Sequence, residues 1–280
     1  MPLLPLDIPA GIYRNGTDLQ SQGRWRDSNL VRWHDGTMQP IQGWRIRSAT
    51  ATANIPRSLK IWIDNSNNRW IAAGTFQNLY VYNDDSAQYN ITPSNLTAGS
   101  ETAVDSTSFG GGSYGNDPYG EPRPESTLGV PATTWSMDQW GQYLLACSNA
   151  DGKIYEWQLS TSTIAAVLSN APTGNTAIMV TDERFVFALG AGGNPRKIQW
   201  SDRENNNLWA AAATNEAGSI ELQTSGVIQC GVRVQNQALI LTTTDAHTAT
   251  YSGPPYVYGV ERVGTSCGCV SAQGVAVVDM

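Results

Sequence analysis

Leu59-Lys60-Ile61-Trp62-Ile63, a polar turn at Asp64-Asn65-Ser66-Asn67-Asn68, then Trp70-Ile71-Ala72-Ala73-Gly74 and Leu79-Tyr80-Val81-Tyr82 form the stretch on which the fold is read. Short runs rich in aromatic and β-branched residues, separated by turn residues, predict an antiparallel meander. A closing strand, Tyr89-Asn90-Ile91-Thr92, ends at Pro93 and completes a four-stranded unit of roughly 40 residues, the size of a propeller blade. The phrase then recurs. Its second strands are Trp70 to Gly74, Tyr143-Leu144-Leu145-Ala146-Cys147, Phe185-Val186-Phe187-Ala188-Leu189 and Leu239-Ile240-Leu241-Thr242-Thr243. Its third strands end on an aromatic each time, at Tyr82, Trp157, Trp200 and Tyr251. Asp64, Asp138 and Asp182 are expected in the first turn of successive repeats, and Asp279 takes that place after Val275-Ala276-Val277-Val278.

The expected fold is therefore all-β: a β-propeller of four blade-like repeats plus the start of a fifth. Residues 56–280 hold the blades, and residues 1–55 form an irregular N-terminal interface segment. A final strand without a partner leaves an open edge, which natural proteins avoid. The fifth repeat stops at Met280, so either a longer chain or another chain is expected to complete it.

Charged residues make up only 15% of the 280 residues, below the usual quarter, while Trp is abundant at 10. Two readings fit: polar uncharged loops on an all-β protein, or a surface largely covered by neighbours. The net charge of −7 supplies no basic field to attract nucleic acid, which argues against a sequence-reading DNA binder but not against a conduit. The N-terminus lacks the basic start and apolar run of a signal peptide, and no apolar stretch is long enough to span a bilayer. Cys147, Cys230, Cys267 and Cys269 read as reduced thiols; Cys267-Gly268-Cys269 is too close-spaced for an ordinary bridge.

The first 55 residues carry turn signals at Asn15-Gly16, Asp35-Gly36 and Gln42-Gly43 and a short strand at Asn29-Leu30-Val31-Arg32-Trp33. Arg14, Arg24 and Arg32 interleave with Trp25, Trp33 and Trp44, a composition suited to buried pairing and cation–π contacts at a subunit or adaptor interface. The same arginines could instead cap the protein's own sheet edges. An insertion at about 94–132, rich in Gly, Tyr and Pro, separates the first two repeats. It reads either as a docking arm anchored by Tyr114 and Tyr119 or as a solvated linker.

No catalytic constellation emerges. His34 and His247 lie in no recognisable catalytic context, and no nucleophile elbow, zinc-binding His pair or phosphate loop is present. No catalytic residue, cofactor site or metal site is assigned. Asp151-Gly152 reads as a hairpin turn rather than a sialidase-type box. Carboxylate pairs for glycoside cleavage are a three-dimensional matter and stay open.

Pro9-Ala10-Gly11-Ile12-Tyr13-Arg14-Asn15-Gly16-Thr17, Gly23-Arg24-Trp25, Asn29-Leu30-Val31-Arg32-Trp33, Gly36, Pro40 and Gly43-Trp44 resemble the opening of podovirus tail nozzle proteins. These are also called packaged-DNA stabilisation or tail-hub proteins. The tyrosines of the insertion and Gly264-Thr265-Ser266-Cys267-Gly268 are similar too. The resemblance implies a structural virion protein, assembled in the host cytoplasm as a homo-oligomeric ring, usually a hexamer. Such a ring sits below the portal and adaptor protein and extends the DNA ejection channel. It also meets the tail needle, fibre or spike proteins, while packaged double-stranded DNA passes without sequence-specific binding and no membrane insertion is implied. Members of that family are longer and complete the propeller, a departure from this chain. A receptor- or glycan-binding tail propeller is the alternative, and a propeller glycosidase a third.

Overall fold

A computed structural model describes residues 8–43, 46, 48–84, 87–103 and 131–277. The chain divides into two compact units, residues 1–47 and 48–280. Among the described residues, the first holds one hairpin, β1 (Val31–His34) and β2 (Thr37–Pro40), closed by the left-handed pair Asp35 and Gly36. The expected alternation holds within it: Val31 and Trp33 are half-buried while Arg32 and His34 are exposed.

The second unit contains, among the described residues, four four-stranded antiparallel sheets, each a simple meander in sequence order. They comprise β3 (Ser58–Ile63), β4 (Arg69–Gly74), β5 (Leu79–Tyr82) and β6 (Gln88–Asn90); then β7 (Trp135–Trp140), β8 (Tyr143–Ser148), β9 (Ile154–Trp157) and β10 (Ala166–Val167). The third sheet is β11 (Ala177–Val180), β12 (Val186–Leu189), β13 (Lys197–Trp200) and β14 (Gly218–Glu221). The fourth is β15 (Ile228–Val234), β16 (Gln237–Thr242), β17 (Asp245–Gly253) and β18 (Val257–Thr265). The first strands β3, β7, β11 and β15 lie side by side in that order, so the sheets stack face to face around a common inner edge. The protein is all-β and propeller-like.

Three apolar layers hold the sheets together, one at each junction. Between the first two sheets, Trp62, Trp70 and Trp157 meet at ring distances of 5.2–6.4 Å. Leu145, Cys147, Ile178, Val180 and Val186 fill the second junction. Phe185, Phe187, Trp200 and Tyr258 form an aromatic cluster in the third. Gly74 is required at the first junction, because a Cβ there would stand 2.3 Å from Cδ1 of Trp135.

Sequence reading and structure differ at three places. Asp64 does organise the first turn, where its carboxylate accepts bonds from the amides of Ser66 and Asn68 and from the Trp70 indole. Those bonds, the Trp70 one foremost, hold its pKa down at about 2. Asp138, by contrast, is not a turn residue: β7 continues to Trp140 and the reversal falls at Gly141-Gln142, with Gly141 at φ +60°. Closing strands complete the second, third and fourth sheets, although only the first was legible. β10 is just two residues, too short for any pattern, and β14 and β18 carry Gly and charged residues that weaken the apolar alternation. Finally, the expected fifth strand is not formed over residues 275–277, which make no ladder pairing among the described residues.

Candidate functional site

The inner edges of the four sheets are joined by side-chain bonds as well as by apolar contact, and Asp138 is the hub of those bonds. Its carboxylate is 9% exposed and accepts from Lys60 Nζ on β3 at 2.7 Å and from the Val180 amide on β11 at 2.7 Å. Arg233 on β15 reaches the same carboxylate at 3.4 Å and pairs with Asp182 at 3.7 Å. One side chain on the second sheet thus engages all three others. Ser136 exchanges two bonds with the Ile178 backbone, and Ser58 Oγ accepts the Trp135 amide at 2.8 Å. Such bonds fix the angle between neighbouring sheets, which a hydrophobic layer alone leaves adjustable.

After β18 the chain returns to this inner edge. Gln273 Nε2 donates to Ser58 Oγ at 3.3 Å and to the Trp135 carbonyl at 3.2 Å. Ala272 and Gln273 line a narrow cavity of about 140 Å³ together with Ser58, Thr134, Thr176 and Gly231. Val277 borders a wider one of about 310 Å³, whose wall includes Lys60, Asp138 and Arg233. Adjoining the narrow cavity, with Thr134, Thr176 and Ala272 shared between the two, a polar cleft of about 540 Å³ is lined by Asn149, Asp151, Asn175 and Gln229. The Asp151 carboxylate is already engaged there, accepting the Tyr155 hydroxyl at 2.6 Å and the Lys153 amide at 3.1 Å.

A second feature is an open face. Ser58, Lys60 and Trp62 of β3 bond toward the second sheet. The alternate residues Leu59, Ile61 and Ile63 therefore point the other way, and they are 67%, 62% and 48% exposed. The residues that hold the corresponding side of the next two sheets, such as Met137 and Ile178, pack in the junctions. An aliphatic stripe suited to a sheet junction stands uncovered.

The N-terminal residues singled out from sequence gather around the hairpin. Trp25 and Trp33 pack with ring centroids 5.9 Å apart. Arg24 lies over the Tyr13 ring at 5.2 Å, and Arg14 pairs with Asp27 at 2.6 Å. Arg32 reaches Gln39 across the hairpin at 3.4 Å. Arg14, Arg24 and Arg32 all remain exposed while Trp25 and Trp33 are half-buried. Trp44, Tyr114 and Tyr119 lie outside the described residues. From sequence Asp138 was read only as a turn residue and Leu59–Ile63 only as a strand; neither was assigned to a site. A carboxylate inside a strand was the available signal for the first; an all-apolar alternation such as Leu59, Ile61, Ile63 reads the same whether its face is covered or bare.

Among the described residues, no group of three His, Cys, Asp or Glu side chains is placed to hold a metal. His247 is buried on β17, and its Nε2 has no partner among the described residues. Burial drives its pKa below the ordinary 6.5, opposed by Asp245 and aided by Arg262. The unfolded chain thus binds a proton more readily than the folded one as pH falls below 6.5. Stability is expected to be full above that pH and to decline below it. A His247→Leu variant, compared with the parent by urea unfolding on both sides of pH 6.5, should show a flatter dependence.

No family model and no curated protein matches the chain. Among solved structures it is similar to BBS1N in a crystal structure of its complex with ARL6DN, at 12% identity and a TM-score of 0.43. The similarity covers 83% of this chain and 59% of that one, so this chain spans about three-fifths of its neighbour's length.

Proposed function

We propose that this chain is a structural subunit of a phage tail, of the nozzle type. Copies would assemble side by side into a ring that extends the DNA exit path below the portal and adaptor. The observation that carries the reading is the uncovered stripe Leu59, Ile61 and Ile63. An exposed apolar patch of this kind marks an association surface. The outward side of the fourth sheet offers a counterpart in Val232, Leu239 and Leu241, half-buried and adjacent in the β15–β16 register. Sheet-on-sheet contact between one copy's first sheet and the next copy's fourth would repeat the chemistry of the three internal junctions. A head-to-tail contact of that type closes into a ring when the rotation permits. The exposed Arg14, Arg24 and Arg32 beside the Trp25–Trp33 pair suit contact with the adaptor. On this reading the tail needle, fibre or spike proteins meet the distal side, and DNA passes through the ring unread.

Ring images by negative stain would support this assignment, and a monomer at every concentration tested would overturn it. Ile61→Asp places a charge in the contact and is expected to weaken self-association at least tenfold by light scattering, while the urea midpoint stays near that of the parent. Unchanged association would remove the β3 stripe from the interface.

A second reading, a glycan-binding tail propeller, is favoured by one observation. The cleft of about 540 Å³ lined by Thr134, Asn149 and Gln229 offers amides and a hydroxyl of the sort that meet sugar hydroxyls. Glycan-array binding lost on Gln229→Ala would favour it over the ring.

A further inference from the structure

Cys230 and Cys269 are distant in sequence and neighbours in space. Cys230 stands opposite Leu241 in the β15–β16 ladder. The Cys269 amide donates to the carbonyl of the next residue, Thr242, at 2.8 Å. Both side chains are buried, at 6% and 9% exposure; Cys269 Sγ donates to the Ser271 carbonyl at 2.9 Å and lies near enough to Cys230 to disfavour its thiolate. Cys267, two residues before Cys269, is exposed. Its amide is tied to the β16–β17 turn, through the Thr244 carbonyl at 3.1 Å. Gly268 between them is needed for this close approach, since a Cβ there would meet the Thr243 carbonyl oxygen at 2.1 Å.

We propose that Cys230 and Cys269 form an oxidation site whose disulfide clamps the following segment, residues 270–277, to the fourth sheet, with Cys267 as the entry thiol. The oxidant is a small-molecule disulfide. The Cys267 thiolate attacks it, forming a mixed disulfide and releasing one thiolate. Cys269 then attacks the Cys267 sulfur and expels the second thiolate. The resulting Cys267–Cys269 bridge spans a single residue and is strained, so it is a good electrophile. Cys230 attacks the Cys269 sulfur, the Cys230–Cys269 bond forms, and Cys267 leaves as a thiolate. In sum, two protein thiols lose two electrons and two protons, and the oxidant becomes two thiols. Burial and the neighbouring thiol push Cys230 up to about 12, so the last step is slow near neutrality and quickens as pH rises.

The clamp would act on the inner edge of the sheets. Cys269 is followed by Ala272, which lines the narrow cavity, and by Gln273, which bridges Ser58 and Trp135. Tethering Cys269 removes freedom from that segment and closes a loop of roughly 40 residues in the unfolded chain.

The test uses the intact protein with oxidised glutathione as probe. Free thiols are expected to fall from four to two, with a non-reducing peptide map linking Cys230 to Cys269. Amide exchange over residues 271–277 should slow about tenfold. Cys267→Ser should delay the cross-link at least tenfold yet give the same product, and Cys230→Ser should stop at the Cys267–Cys269 bridge. Cys269→Ala serves as a second folded control and should leave only glutathionylated Cys267. A stable Cys267–Cys269 end product in the parent, a link between two copies, or four thiols still free after exposure would each overturn the proposal.

Discussion

Trp157→Ala is expected to lower the unfolding free energy by about 3–5 kcal/mol, the usual cost of deleting a large aromatic from a close-packed core. Trp157 is 1% exposed and stands edge-on to Trp70 at 5.2 Å and to Trp62 at 6.4 Å, so it locks the first two sheets together. Its indole N–H also donates to the Ser160 and Thr163 carbonyls, at 3.0 and 3.2 Å, which pins the loop after β9. Trp157→Phe keeps part of the ring contact but strands those two carbonyls, and should cost about 2 kcal/mol. Urea unfolding of the parent and both variants ranks the three. An alanine variant within about 1 kcal/mol of the parent would mean that the first junction does not hold the sheets as described.

Asp138→Ala should be nearly as damaging, by about 3 kcal/mol. The substitution leaves the Val180 amide without its acceptor and removes the shared anion from Lys60 and Arg233. Asp138→Asn retains the shape and one acceptor, but its amide N–H₂ then faces a cation; roughly 2 kcal/mol is expected. A double-mutant cycle with Lys60→Met isolates the β3–β7 pair from the rest. Lys60 is itself 27% exposed, so that coupling should be small, near 1 kcal/mol, with most of the loss residing in the buried bond to Val180. A coupling as large as the whole effect would contradict this division.

Much of the fold was legible because strands advertise themselves locally. The four second strands appear as apolar runs, and every one is a strand in the structure; β8 and β12 are buried almost throughout, while β4 and β16 keep one face half-buried. The first and third strands followed from the same spacing. Closing strands lie at the outer edge, where one face is wet and a polar or glycine residue costs little, so β10, β14 and β18 left no comparable mark. Asp138 was misplaced for a related reason: carboxylates are usual in turns, and nothing nearby in sequence shows that Lys60, Val180 and Arg233 converge on this one. Of the N-terminal residues, the Trp25–Trp33 contact and the exposure of Arg14, Arg24 and Arg32 are visible in the first unit. Their role toward another subunit rests on the proposal.

The amino-acid sequence alone determined the first three strands of each repeat, the closing strand of the first and the all-β class, because hydrophobic alternation and turn chemistry act over a few residues and need no partner. Only the tertiary structure decided which side of each strand meets another sheet. It bared Leu59, Ile61 and Ile63, made Asp138 the point where four strands meet, and brought Cys269 against Cys230. Burial, charge pairing and thiol contact depend on residues far apart along the chain, and their closeness exists only once the sheets have stacked.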